Sequence, residues 1–175
     1  GPKTALDNLK IFESRLPENV RISTLMGRFY AMDRDQRWDR TKLAFNTIMN
    51  GQGKRFKSAI EAIESSYADS VYDEFILPCS IGDYYGLAGS MNTLIGMNFR
   101  ADRFRQILTA FLSPSFDAFE RGESSKIGRA IGLISYSKEL DGLMDTILPT
   151  KKIINTLGSI LSQKELYQLR LAETE

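Results

Sequence analysis

The feature that most restricts the fold of this 175-residue chain is a series of short apolar runs, each too short for a helix, separated by segments with helical spacing. Val20 to Met26, Thr93 to Phe99 and Ala130 to Tyr136 are rich in branched and apolar residues, as buried strands are, and Phe75 to Ile81 reads as a further extended piece. Between them lie three apolar stripes: Trp38, Phe45 and Met49; Phe56, Ile60, Ile63 and Tyr67; and Phe104, Ile107, Leu108, Phe111 and Leu112. Buried strands that alternate with amphipathic helices predict an α/β fold, a mostly parallel sheet with flanking helices.

Local signals punctuate this pattern. Thr4 with Asp7 resembles a capping box that opens a helix over Leu6, Leu9, Phe12 and Leu16, closed by Pro17. Gly27 permits a tight exit from the first strand. Asp35 is placed to cap the helix of Trp38, and Gly51 and Gly53 to end it. Pro78 pushes the Phe75–Ile81 piece to an edge or irregular position, because it cannot donate to a ladder. Gly82 to Ser90 and Ser113 to Lys126 read as loops, the latter on the surface. Pro149 and Thr150 start a helix with Ile153, Ile154, Leu157, Ile160 and Leu161 facing inward, and Leu166 to Ala172 alternates as a final strand.

Composition removes several function classes. A net charge of +1 supplies no global basic field, so no nucleic-acid partner is expected. The chain has no histidine, which argues against a self-contained hydrolase triad or zinc site. The apolar runs fall well short of the roughly 18 to 20 residues of a membrane span, so a cytoplasmic protein with no membrane partner is expected. The single cysteine, Cys79, lies in an apolar stretch that suits a small buried thiol.

Two arginine motifs stand out. Gly27-Arg28-Phe29-Tyr30-Ala31-Met32-Asp33-Arg34-Asp35 follows the apolar run from Val20 to Met26, and Asn98-Phe99-Arg100-Ala101-Asp102-Arg103 follows the one from Thr93 to Met97. Both occupy the strand-to-helix handover where open α/β sheets bind ligands. Arg100 and Arg103 are spaced to share one face of a first helical turn, where free backbone N–H groups add positive potential. Guanidinium forks bind phosphate and carboxylate through paired charge-assisted hydrogen bonds, so four arginines suit an anion that carries both groups. Taken one pair at a time, such residues also serve simply to solvate loops and helix starts. Tyr84 and Tyr85 are weaker candidates, better read as packing.

The first motif with Gln36-Arg37-Trp38, the second motif, and the closing Leu169-Arg170-Leu171-Ala172-Glu173-Thr174-Glu175 resemble cofactor-independent phosphoglycerate mutase in kind and order. The resemblance covers nearly the whole chain, loosely over Phe75–Thr93 and Glu120–Pro149. It implies an isomerase of glycolysis and gluconeogenesis that interconverts 3-phosphoglycerate and 2-phosphoglycerate. That family joins a phosphatase-like domain, with two manganese ions and a transiently phosphorylated serine, to an inserted domain that holds the glycerate. On this basis Arg28, Arg34, Arg100 and Arg103 correspond to substrate-binding arginines.

The family's serine, metal ligands and substrate-binding histidine have no counterpart here, nor does the Asp-Gly-Arg-Asp motif expected before Gly1 or the lysine expected after Glu175. The resemblance therefore implies a part of a mutase. Residues 1–150 would be a partial substrate-binding domain, with an incomplete sheet, and residues 151–175 a connection back to the phosphatase-like domain. Such a part would bind no manganese and be inactive alone, with phosphoglycerate and the missing domain as its partners and self-association through exposed sheet edges as an added possibility. The competing reading is a non-catalytic module that binds anions or oligomerises.

Overall fold

Asp73 illustrates how distant residues set local structure here. It accepts hydrogen bonds from the Thr4 and Ala5 N–H groups, at 2.9 and 3.1 Å, across 69 and 68 residues. Helix α1 (Ala5–Glu13) therefore starts on a tertiary cap, and the Thr4 side chain makes no capping bond. The computed structural model in which this is seen describes residues 2–89, 91–122, 127–149 and 153–171.

After α1 come β1 (Thr24–Leu25), α2 (Arg28–Ala31), α3 (Trp38–Asn50), β2 (Lys54–Phe56), α4 (Ala59–Ala68), a 3-10 turn at Asp73–Phe75 and β3 (Cys79–Ile81). The rest comprises β4 (Asn92–Gly96), α5 (Asp102–Leu112), β5 (Ile127–Ile134), α6 (Lys138–Asp141), β6 (Asp145–Leu148) and α7 (Leu157–Gln163). The expected sheet is divided in two. One has the order β1-β3-β2, with β3 antiparallel to β1 and parallel to β2; the other has the order β4-β5-β6 and is parallel throughout. The class is α/β with mainly parallel pairing, as the strand and helix periodicities predict.

Several local expectations need correction. Pro78 does not force an edge: it lies just before β3, which is the central strand of its sheet, so no ladder bond is lost within Cys79–Ile81. Phe56 ends β2 and is not part of a helix. Helix α4 begins at a capping box: the Ser58 hydroxyl accepts from the Glu61 N–H at 3.1 Å, and the Glu61 carboxylate accepts from the Lys57 N–H at 2.8 Å. Strand β6 falls between Gly142 and Pro149, where the sequence reading places no element, and the described part of the Leu166–Ala172 segment forms no strand; Ala172 lies outside the described residues. Pairing with β5 selects Asp145–Leu148 as a strand, a choice that four residues cannot signal alone.

The last helix is shorter and more exposed than its apolar residues suggest. Ile153, Ile154 and Leu157 are 80%, 72% and 73% exposed, so they face no core among the described residues. Thr150 to Lys152, and with them the expected boundary after residue 150, lie outside the described residues. In the other direction, the loop after α5 is less solvated than expected. Phe116 packs edge-on to Trp38 at 5.2 Å, and Phe119 to Phe45 at 5.4 Å.

The core that positions the arginines lies between α3 and α5. Phe45 stacks on Phe111 at 5.3 Å, with Ala44 and Ala110 buried beside them. Leu108 and Tyr136 tie α5 to β5 and α6. Helix α3 ends at Gly51, whose φ of 63° is left-handed, and a Cβ there would lie 2.5 Å from the Tyr85 carbonyl carbon. Gly51→Ala should therefore lower the unfolding free energy by at least about 1–2 kcal/mol, measurable by urea unfolding.

Candidate functional site

Gly27 prepares the site by close approach. A side chain at Gly27 would collide with the Glu74 carbonyl, while the Gly27 N–H donates to the Ile76 carbonyl at 2.8 Å. With no Cβ in the way, the start of α2 rests on the Asp73–Phe75 turn. Arg28, the first residue of α2, then meets Glu74 at 3.3 Å, with both side chains about half exposed.

The polypeptide between α2 and α3 turns around Asp33. This carboxylate, 6% exposed, accepts from the Asp35 N–H at 3.1 Å and from the Arg37 N–H at 2.9 Å. It orders the turn that leads into α3, which starts without a side-chain cap; Asp35, the expected cap, instead pairs with Arg37 at 2.5 Å. The Arg37 guanidinium also reaches Asp33 at 3.2 Å, and Arg40 lies 3.8 Å away. Arg40 in turn stacks over the Phe29 ring at 3.7 Å.

Helix α5 brings the second motif against this turn. Arg103 donates to the Met32 carbonyl at 3.3 Å, and Gln106 donates to Asp33 at 2.9 Å. Asp102 is an acceptor shared by Arg34 and by Arg100, the latter at 2.9 Å. Arg100 precedes the helix and does not lie in its first turn, so the shared helical face expected for Arg100 and Arg103 is not formed.

The four sequence-predicted arginines are thus brought to one region but not into one cavity. Arg28 and Arg103 line a cleft of about 280 Å³ together with Arg37 and Arg40, opposed by Asp33 and Glu74. Arg34 lines a neighbouring cleft of about 360 Å³ with Arg105, Asp102 and Gln106. Arg100 lines neither and joins the group through Asp102. Arg37 and Arg40 are absent from the sequence-based candidates; their spacing of three at the start of a helix is the signal that would mark them. Four guanidinium groups against two carboxylates leave the first cleft with a surplus of positive charge, suited to a phosphate or carboxylate.

Burial pushes the Asp33 carboxyl up, but hydrogen bonds from the Arg37 N–H, Gln106, the Arg37 guanidinium and the Asp35 N–H outweigh it and hold it below the ordinary 3.8. Desolvation likewise raises Asp102, while Arg34 and Arg100 bring it lower on balance. Both carboxyls are depressed by folding, so their stabilisation is present above the unfolded value and is lost as pH falls through the folded values. The urea midpoint should hold steady down to the acid range and then drop below about pH 4, with a smaller drop in Asp33→Asn.

Among the described residues, no group of three or more histidine, cysteine, aspartate or glutamate side chains converges to hold a metal ion. The acids near the clefts are taken up by arginines. These residues do not fit a manganese site. Cys79 is buried, with its thiol pushed up to about 11 by desolvation, and is structural. Tyr84 donates to the Ile48 carbonyl and packs there, whereas Tyr85, 75% exposed, lies under Arg55 at 4.1 Å and is not buried as a packing residue would be.

Comparison with known proteins supplies the context. The family model described as BPG-independent PGAM N-terminus matches residues 1–138. The chain is 45% identical to the 2,3-bisphosphoglycerate-independent phosphoglycerate mutase of Rhodopseudomonas palustris over 99% of its length, and 44% identical to that of Dinoroseobacter shibae over 100%. It spans 34% of the length of each of these relatives. The fold is similar to the phosphoglycerate mutase crystal structure from Leishmania mexicana, with a TM-score of 0.73 at 24% identity, over 91% of this chain and 31% of that one.

Proposed function

Because this chain belongs to the BPG-independent phosphoglycerate mutase family, as its N-terminal family model and its relatives establish, we propose that it is the substrate-binding part of such an isomerase. The observation that carries the reading is the cleft in which Arg28 and Arg103 converge with Arg37 and Arg40, next to Arg34 and Arg100. A phosphoglycerate presents a carboxylate and a phosphate, together close to three negative charges, and paired guanidinium contacts suit both groups.

The residues of this chain would bind and orient the glycerate. Arg28 and Arg103, both lining the cleft, hold one anionic group. Arg34 and Arg100 share the Asp102 carboxylate until a ligand anion competes for them. A captive glycerate can then present either hydroxyl to a phosphorylated group without escape to solvent, which favours exchange over hydrolysis. The nucleophile and the manganese ions would belong to the phosphatase-like portion of the complete protein. That portion, with 3- and 2-phosphoglycerate, makes up the proposed partners, in the cytoplasm and within glycolysis and gluconeogenesis. Among the described residues, no helix is long and apolar enough to cross a membrane.

Residues 151–175 are proposed as the connection to that portion. Leu169 and Leu171 are 89% and 93% exposed, which adds to the exposed apolar residues before them and suits a segment covered by further polypeptide. The test is to assay the complete protein and this polypeptide side by side. Interconversion of the two phosphoglycerates is expected from the complete protein alone, with phosphoglycerate binding to it seen by calorimetry. Turnover by the 175-residue chain by itself, or a complete protein indifferent to phosphoglycerate, would refute the proposal.

A further inference from the structure

We infer that Gln106 is a positioning residue for the substrate arginines, an amide strut that fixes the turn carrying Arg34 and Arg37 against the helix carrying Arg103. The inference rests on the proposed arginine site and adds a residue that does not itself bind the ligand. The site draws on two segments about 70 residues apart in the chain, so its geometry depends on what joins them. Gln106 follows Arg103 by one helical turn and shares its face of α5.

The side chain is 8% exposed, and its bonds are directional. Its carbonyl oxygen accepts from the Gln36 N–H at 2.9 Å; its amide nitrogen donates to the Asp33 carboxylate at 2.9 Å and to the Thr41 hydroxyl at 2.6 Å. A backbone N–H can only donate, so the amide oxygen must face Gln36 and the NH₂ group must face Asp33. Both ends of the amide are used, and neither has water in easy reach to replace a lost partner.

The turn held in this way would not keep its shape by itself. Gln36 has a φ of 58°, a left-handed conformation that costs a non-glycine residue roughly 1–2 kcal/mol. Asp33 meets Arg37 and Arg40 as well as Gln106 of α5, so a shift of Asp33 moves two cleft arginines. Leucine at 106 would fill the volume and suit the neighbouring Ile107 and Leu108, but it could not bond to either side of the turn. The amide thus sets the distance between the two arginine groups.

The experiment uses the complete enzyme with Gln106→Leu, Gln106→Glu and, as a control for the site itself, Arg28→Ala. Gln106→Leu should raise KM for 3-phosphoglycerate about tenfold, with a smaller change in kcat, because a buried hydrogen bond to a charged group is lost. Combined with Arg103→Ala, its effect should be less than the product of the two single effects, since both act on one geometry. Gln106→Glu places a second carboxylate beside Asp33, with Arg37 and Arg40 at Asp33 and with Arg34, Arg105 and Asp102 lining the cleft that residue 106 borders. Its kcat/KM relative to the native enzyme should recover as pH is lowered and the new acid becomes a donor.

An unchanged KM in Gln106→Leu, where Arg28→Ala raises it, overturns this inference and leaves the arginine site standing. Unchanged KM values in both variants overturn the site as well. Independent, multiplicative effects of Gln106→Leu and Arg103→Ala would reduce Gln106 to a packing residue. Should Gln106→Leu fail to fold, a pH-independent deficit in Gln106→Glu serves as the refuting result.

Discussion

Asp33→Ala is expected to lower the unfolding free energy of the complete protein by about 3 kcal/mol. The carboxylate accepts from two backbone N–H groups and the Gln106 amide and faces two guanidinium groups, all from a position with 6% exposure. Its removal leaves the Gln106 amide short of a buried acceptor and strands the Asp35 and Arg37 N–H groups of the turn before α3. Each stranded buried donor costs about 1–3 kcal/mol. Arg37 and Arg40 retain some access to water, which keeps the total from rising further. Asp33→Asn keeps one acceptor oxygen and should lose less. The check is urea unfolding of the three proteins at neutral pH, and equal midpoints would contradict this account of Asp33.

The second large effect is on turnover. Arg28→Ala in the complete protein should reduce kcat/KM for 3-phosphoglycerate by about 10²-fold or more, while stability changes little. The separation follows from the surroundings of Arg28. Among the described residues it forms an ion pair with Glu74, both side chains are about half exposed, and such surface pairs contribute little to folding. Its place on the cleft wall is what gives it consequence. Arg28→Lys should restore only part of the loss, because an ammonium group cannot form the paired contact of a guanidinium. Steady-state kinetics with a thermal melt of each variant decides the matter, and native kinetics in Arg28→Ala would exclude Arg28 from the site.

Particular elements show how much of this is legible in the chain itself. The apolar stripe of α5, from Phe104 to Leu112, is readable because a helix repeats its environment every 3.6 residues, and the structure buries that face. The Ser58–Glu61 capping box is equally readable, but a stripe that runs back to Phe56 masks it. Both arginine motifs do follow strands, since β1 and β4 end just before them. Asp35 is the expected cap because it is nearest the helix, whereas α3 starts without a side-chain cap and Asp33 binds the Asp35 and Arg37 N–H groups of the turn before it. Ile153, Ile154 and Leu157 mark the limit of such reading: apolar residues at helical spacing announce a face to be covered, yet cannot say which polypeptide covers it.

The sequence by itself determined the class of fold, the apolar faces of α3 and α5 and the family, because periodicity and contiguous motifs are local properties of the chain. Only the tertiary structure decided which arginines share a cleft. Arg28 joins Arg103, Arg37 and Arg40, while Arg34 and Arg100 turn toward Asp102. That choice depends on bonds such as Gln106 to Asp33, across 73 residues, and on a Gly27 small enough to let one turn rest on another. Contacts of this kind are selected by how the packed elements meet, and no local pattern encodes them.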